Sequence, residues 1–191
     1  MKNIAVMVGS LSHHSINRKL AQTLETLAQG KLHFSYLDIA ALPHYDNDLW
    51  SNPPRSVTEL KHTIERADGI LIATPEYNRS FPGVIKNALD WASRPYGQSS
   101  WMDKPAALIG ASPGTIGTAA AQGQLRSILP LYGLVLMGQP EMYFHMKPGI
   151  ITDELEITDE TTQAFLTAWV EKFDGWVDRH GTMQVPAIAA E

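Results

Sequence analysis

Five short apolar runs separated by helical patterns constrain this chain more than any other feature. The runs are Ile4–Val8, Leu32–Tyr36, Ile70–Thr74, Ala106–Ala111 and Leu134–Met137. Each is rich in apolar residues and too short to be a buried helix. Between or after them lie stripes at helical spacing: Ile16, Leu20, Leu24 and Leu27; Val57, Leu60, Ile64 and Ala67; Phe165, Trp169, Phe173 and Val177. Thr158, Asp159 and Glu160 supply a cap and first-turn acids for the last of these. Strands alternating with helices imply a parallel sheet covered on both faces.

Five strands in this rhythm predict an α/β, doubly wound, flavodoxin-like parallel sheet of order 2-1-3-4-5. Its switch point lies between the first and third strands, and ligands of such sheets sit outside the carboxyl ends of the strands there. A length of 191 residues suits one domain, expected over residues 1–180 with a tail at 181–191. Roughly 70% of the unfolded surface is buried at this size. The Asp38–Ser56 connection is long enough to predict a functional or interface role. The tail has no helical stripe, and ordering it needs a packing surface such as another subunit.

Composition removes several classes of chemistry. There are no cysteines, which excludes disulfides, thiolate metal sites and cysteine nucleophiles. Net charge is −5, with 15 Lys+Arg against 20 Asp+Glu, and no basic run suggests a nucleic-acid footprint. The N-terminal apolar run is too short for a signal segment or membrane span, so a cytoplasmic protein is expected.

The loops after strands one and three fall at the switch point. The first is GSLSHHSIN, Gly9 to Asn17. Ser10, Ser12, Ser15 and Asn17 cluster at a helix start, where free N–H groups attract anions. His13, His14, Arg18 and Lys19 stand where helix starts normally favour acids, and no acid occurs before Glu25. The pattern is neither GxxxxGK[ST] nor GxGxxG, so a terminal monophosphate fits better than a dinucleotide on a Rossmann turn. A plain N-cap role for Ser15, with the other serines as filler, explains the loop equally simply. Adjacent His13 and His14 face one ion poorly and have no carboxylate beside them, so no metal site is expected.

The third strand leads into TPEYNRSFPG, Thr74 to Gly83. Pro75, Glu76, Tyr77 and Asn78 offer a stiff backbone, an aromatic face and an amide, but no nucleophile–base pair. That mix suits a flat heterocycle, although Tyr77 and Phe81 also read as packing aromatics. Pro82 suits the first turn of the next helix. Asn87, Asp90 and Trp91 read as packing or capping residues, with Asp90 structural. The fourth strand ends in ASPGTIG, Ala111 to Gly117, where Ser112, Gly114, Thr115, Ile116 and Gly117 either line a ligand or form a plain turn.

These motifs resemble the NADPH-dependent FMN reductase family, a flavodoxin-like group that includes quinone, chromate and azo-dye reductases. The resemblance rests on GSLxxxSxN at Gly9–Asn17, TPEYNxSxPGxxKNAxDW at Thr74–Trp91 and an SxGxxG-type loop at Ser112–Gly117. ADG at Ala67–Gly69 and LPxYDxDL at Leu42–Leu49 extend it. It implies FMN, with NADPH or NADH as co-substrate. Ser10, Ser15 and Asn17, with Ser12 and Ile16 beside them, would hold the phosphate. Pro75, Glu76, Tyr77 and Asn78 would contact the isoalloxazine, and Ser112, Gly114, Thr115, Ile116 and Gly117 its other edge. Many members carry arginine where this chain has Ser12, which weakens phosphate or pyridine-nucleotide binding unless His13 or Arg18 compensates.

The resemblance further implies a homodimer or homotetramer, with Leu125–Leu129 and Pro140–Tyr143 in the assembly. The expected reaction is a ping-pong transfer of two electrons through flavin N5 to a small acceptor, with Asn78 as candidate hydrogen-bond donor at the N5 edge. The acceptor would be a quinone, flavin, azo compound or metal oxyanion. The alternative is an electron carrier of the same fold, reduced by a partner protein, which would not oxidise NAD(P)H directly.

Overall fold

A computed structural model of the protein describes residues 1–181. In chain order it contains β1 (Lys2–Val8), α1 (Ile16–Leu27), β2 (Leu32–Tyr36), a 3-10 turn at Asn47–Ser51, α2 (Arg55–Arg66), β3 (Gly69–Ala73), α3 (Gly83–Ala92), β4 (Pro105–Ser112), α4 (Ala119–Ile128), β5 (Val135–Leu136), β6 (Met142–His145) and α5 (Glu160–His180).

The strands pair in the order β2-β1-β3-β4-β5, as the alternation predicts, and every pairing is parallel. Successive strand residues point to opposite faces. Ile4, Val6 and Leu71 therefore pack with Leu20, Trp169 and Phe173 of α1 and α5. Ala5, Met7 and Ile70 pack with Ile64, Leu89 and Leu125 of α2, α3 and α4.

Two expectations are corrected. The sheet has six strands, because the fifth position is split. β5 pairs only Pro105 and Ala106 of β4, and β6 resumes the same edge opposite Ile109 to Ser112. Pro140 lies in the gap and has no N–H to give a ladder. In the gap, Pro140 O accepts from Trp169 Nε1 of α5 at 3.1 Å and Met137 O from Arg126 Nη1 of α4 at 3.2 Å, while Trp176 Nε1 of α5 donates to Val135 O of β5 at 3.0 Å. The buried stripe of α5 is also rotated from the expected one. Leu166, Trp169, Val170, Phe173 and Val177 are buried, whereas Phe165 is 42% exposed. Asp159 caps this helix, its carboxylate accepting from Thr162 N at 2.7 Å.

The long connection after β2 is tied down by α3. Pro43 O accepts from Asn87 Nδ2 and Trp91 Nε1, both at 2.8 Å, while Asn87 Oδ1 accepts from Tyr45 N at 2.8 Å. Tyr45 and Trp50 set their rings edge-on to Trp91. These contacts give Asn87 and Trp91 the packing role expected for them. Residues 182–191 of the expected tail lie outside the described residues.

Candidate functional site

The carboxyl ends of β1, β3 and β4 carry three loops side by side. After β1, Gly9 N still donates to Ala73 O at 2.8 Å, so the loop leaves the sheet only at Ser10. A Cβ on Gly9 would stand 2.6 Å from Ile85 Cδ1, so a bare backbone is needed where the loop passes α3. Ser15 is the N-cap of α1, its Oγ accepting from Arg18 N at 3.1 Å. Ser12 braces the turn: its Oγ accepts from His14 N and its carbonyl from Ser15 N, both at 3.2 Å. Among the described residues, the N–H groups of Ser10, Leu11, Ser12, His13, Ile16 and Asn17 have no protein acceptor. Six free donors beside three hydroxyls and a helix N-terminus form a cradle suited to a phosphate.

Asn17 does not share in that cradle through its side chain. Its Nδ2 donates to Ala111 O at 3.0 Å, and its Oδ1 accepts from Ala111 N at 2.8 Å. The residue is 1% exposed and clamps the start of α1 to β4. Ile16 packs beside the core below it. Lys19, read as part of an unmatched basic cluster, bonds Asp153 at 2.6 Å and holds that carboxyl below its ordinary range. Arg18 and His13 make no ion pair among the described residues.

The β3 loop is a tight reversal. Tyr77 N donates to Ser80 O at 2.9 Å, and Ser80 N donates to Tyr77 O at 3.0 Å. Asn78 and Arg79 have φ of 52° and 65°, the backbone signature of a type I′ turn. Asparagine tolerates that conformation better than most side chains. Pro75 enters the turn with its carbonyl accepting from Thr74 Oγ1 at 2.8 Å. Tyr77 is half exposed, and its hydroxyl reaches Ser10 Oγ at 3.4 Å, spanning the switch point.

Glu76 points to the neighbouring helix. Its Oε2 accepts from Ala120 N at 3.0 Å and Ala121 N at 3.1 Å, while Arg79 Nη1 lies 3.6 Å from Oε1. Gln124 of α4 completes the strap, accepting from Ser80 Oγ at 2.7 Å and donating to Arg79 O at 2.8 Å. Sequence reasoning passed over Gln124, whose only local sign is its place one turn after the Ala119–Ala121 run.

The β4 loop folds on itself. Ser112 Oγ donates to Gly114 O at 3.0 Å and accepts from Gly114 N at 3.1 Å. Gly114, Thr115 and Ile116 are exposed. Gly117 is buried at φ 65°, where a Cβ would stand 2.7 Å from the Tyr143 carbonyl carbon. The close approach that Gly117 permits is thus to β6 rather than to a ligand. His145 of β6, also missed in the sequence, pins the loop through Nε2 and Pro113 O at 3.1 Å.

Each of the three loops carries one exposed large apolar side chain, Leu11, Tyr77 and Ile116. Apolar side chains next to free N–H donors match a flat ring carrying a phosphorylated tail, so the residues present fit FMN.

Comparisons with known proteins identify the family. Residues 2–149 match the family described as NADPH-dependent FMN reductase. A 2-hydroxy-1,4-benzoquinone reductase from Burkholderia sp is 49% identical over 174 residues, covering 91% of this chain and 95% of that protein. A quinone reductase from Pseudomonas putida is 41% identical over 176 residues, covering 92% and 94%. Among solved structures, the flavoenzyme NAD(P)H:(acceptor) oxidoreductase FerB from Paracoccus denitrificans superimposes with a TM-score of 0.92 at 50% identity, covering 94% of this chain and 99% of that one. This chain belongs to the NADPH-dependent FMN reductase family, an oxidoreductase family whose cofactors are FMN and a reduced nicotinamide nucleotide.

Proposed function

We propose that the protein carries two electrons from NADH or NADPH to a small quinone by ping-pong exchange, the oxidised nicotinamide leaving before the acceptor enters the same place. The single observation behind this reading is the free N–H cradle at Ser10 to Asn17, which the exposed Tyr77 of the β3 turn reaches at Ser10. The names of the Burkholderia and Pseudomonas relatives support a quinone as acceptor. When bound, FMN supplies the redox chemistry, and the protein supplies position and electrostatics.

The hydroxyls of Ser10, Ser12 and Ser15 and the free N–H groups hold the phosphate. The Pro75–Asn78 backbone and the Tyr77 ring hold one side of the isoalloxazine, and Ser112, Gly114, Thr115 and Ile116 the other. Asn17 acts through Ala111, and Gly117 through Tyr143, as positioning residues. Asn78 presents a backbone N–H and a side-chain amide from its left-handed position, and either suits a hydrogen bond at the N5 edge. Glu76 keeps the width of the slot by joining the β3 turn to α4.

The test is the visible spectrum after loading with FMN and removing excess, followed by anaerobic NADH or NADPH and then benzoquinone. A retained flavin spectrum that bleaches with either nucleotide and returns with the quinone is expected, with parallel double-reciprocal plots in steady state. Protein that retains no flavin would overturn the reading. Bound flavin that neither nucleotide bleaches would assign the chain to electron carriage instead.

A further inference from the structure

The β1 loop has a second face. On the β2 side, away from the β3 turn, a cleft of about 470 Å³ opens between Ser10–His13 with Arg18 on one wall and Tyr36–Ala40 on the other. The βαβ hand of β1, α1 and β2 brings the end of β2 and the start of α1 to the same rim.

Two opposite charges line this cleft. Arg18 sets its guanidinium 5.2 Å from the centroid of the Tyr36 ring. The ring is fixed from behind, because Tyr36 Oη donates to Glu25 Oε2 at 3.0 Å. Arg18 makes no ion pair among the described residues, although the adjacent Lys19 does. Asp38, two residues beyond β2, accepts only a 3.3 Å bond from Ala41 N and has no cationic partner among the described residues. A half-buried cation without an ion-pair partner and an exposed carboxylate therefore line one cavity without bridging to each other.

A nucleotide answers both needs, with a phosphate for Arg18 and a ribose diol for Asp38. A carboxylate just past the second strand of a βαβ unit is well placed to accept from ribose hydroxyls. A 2′-phosphate at that position would instead meet a like charge. The volume is in the range of small-molecule sites.

We propose that the β1–β2 cleft holds the adenosine ribose and adjoining phosphate of NADH, Asp38 reading the 2′-hydroxyl and Arg18 binding the phosphate. The inference rests on the proposed function, since it names where that reaction's electron donor is held. It makes Asp38 the residue that favours NADH over NADPH. The flavin phosphate would be held by the same loop on its Tyr77 side, where Tyr77 Oη reaches Ser10 Oγ at 3.4 Å.

The experiment is calorimetric titration of the FMN-loaded protein with ADP-ribose and with 2′-phospho-ADP-ribose. Neither probe has a nicotinamide, so binding is read without turnover. ADP-ribose is expected to bind more tightly than its 2′-phosphorylated form. Arg18→Gln should weaken both by about tenfold through loss of a charge-assisted bond. Asp38→Asn should weaken ADP-ribose and narrow or reverse the preference, with the flavin spectrum retained in both variants. Failure of ADP-ribose to bind the loaded protein, tighter binding of the 2′-phosphorylated probe, or binding unchanged in both variants would overturn the proposal. So would loss of FMN in Arg18→Gln, because it would give the cleft to the flavin phosphate. Wild-type protein that retains no FMN at all would mark a failure of the proposed function itself, before any probe is added.

Discussion

Glu76 caps a helix to which it does not belong, its Oε2 lying 3.0 Å from the N–H of Ala120 in the first turn of α4. The formal N-cap, Thr118, makes no side-chain capping bond. One carboxylate thus satisfies two of the orphan donors of α4 and joins the loops on either side of the proposed ring site.

Glu76→Ala should cost about 1–2 kcal/mol, the usual range for losing a helix cap. Urea denaturation of the flavin-free protein measures it. Glu76→Gln keeps a neutral acceptor and should lose less. FMN affinity should fall in the same order, because the slot loses its strap. Equal FMN affinity in all three proteins would show that the strap does not set the slot.

Asn17→Leu should be more damaging than Ser15→Ala. Leucine has a similar bulk but leaves both Ala111 groups unpaired in the core, and each orphaned group costs about 1–3 kcal/mol. Ser15→Ala removes one cap bond worth about 1 kcal/mol. Denaturation midpoints of the two variants should therefore separate clearly. Similar midpoints would mean that water reaches Ala111 when the amide is gone.

Two glycines of the β4 loop should respond differently to alanine. At Gly117 the added methyl meets the Tyr143 backbone at a φ of 65°, and overpacking of this kind costs about 1–3 kcal/mol. At Gly114 the nearest atom is Ser112 Oγ at 3.6 Å, an ordinary contact. A thermal melt should show a lowered midpoint for Gly117→Ala and little change for Gly114→Ala.

The Tyr36 phenol should resist alkaline titration. Burial is the main cause, reinforced by Glu25, and it raises the group above its ordinary value of 10.0. The unfolded chain then releases this proton first as pH rises, so Tyr36 stabilises the fold fully below about pH 10 and progressively less above it. The stability difference between wild type and Tyr36→Phe should be constant between about pH 7 and 9 and shrink beyond about pH 10. A difference that grows with pH would reverse the sign and refute the assignment.

Much of the molecule was legible before folding. The apolar runs carried the strand order, and the serines, the PEYN turn and the SPGTIG stretch marked the three loops that meet at the switch point. These are signals of short range: periodicity, turn chemistry and helix-start composition act over a few residues, and the motifs preserve them in linear order. What only the tertiary structure decided is who satisfies whom. Glu76 finds its partners 44 residues away, and Asn17 finds Ala111 94 residues away. The fifth strand breaks around Pro140, whose carbonyl the Trp169 indole of α5 takes up, and the stripe of α5 turns from Phe165 to Leu166 to fit the sheet beneath. Arg18 and Asp38 line one cleft only because β2 lies beside β1. A buried donor or acceptor must be paired, but nothing local says by which residue, and packing of the whole chain makes that choice.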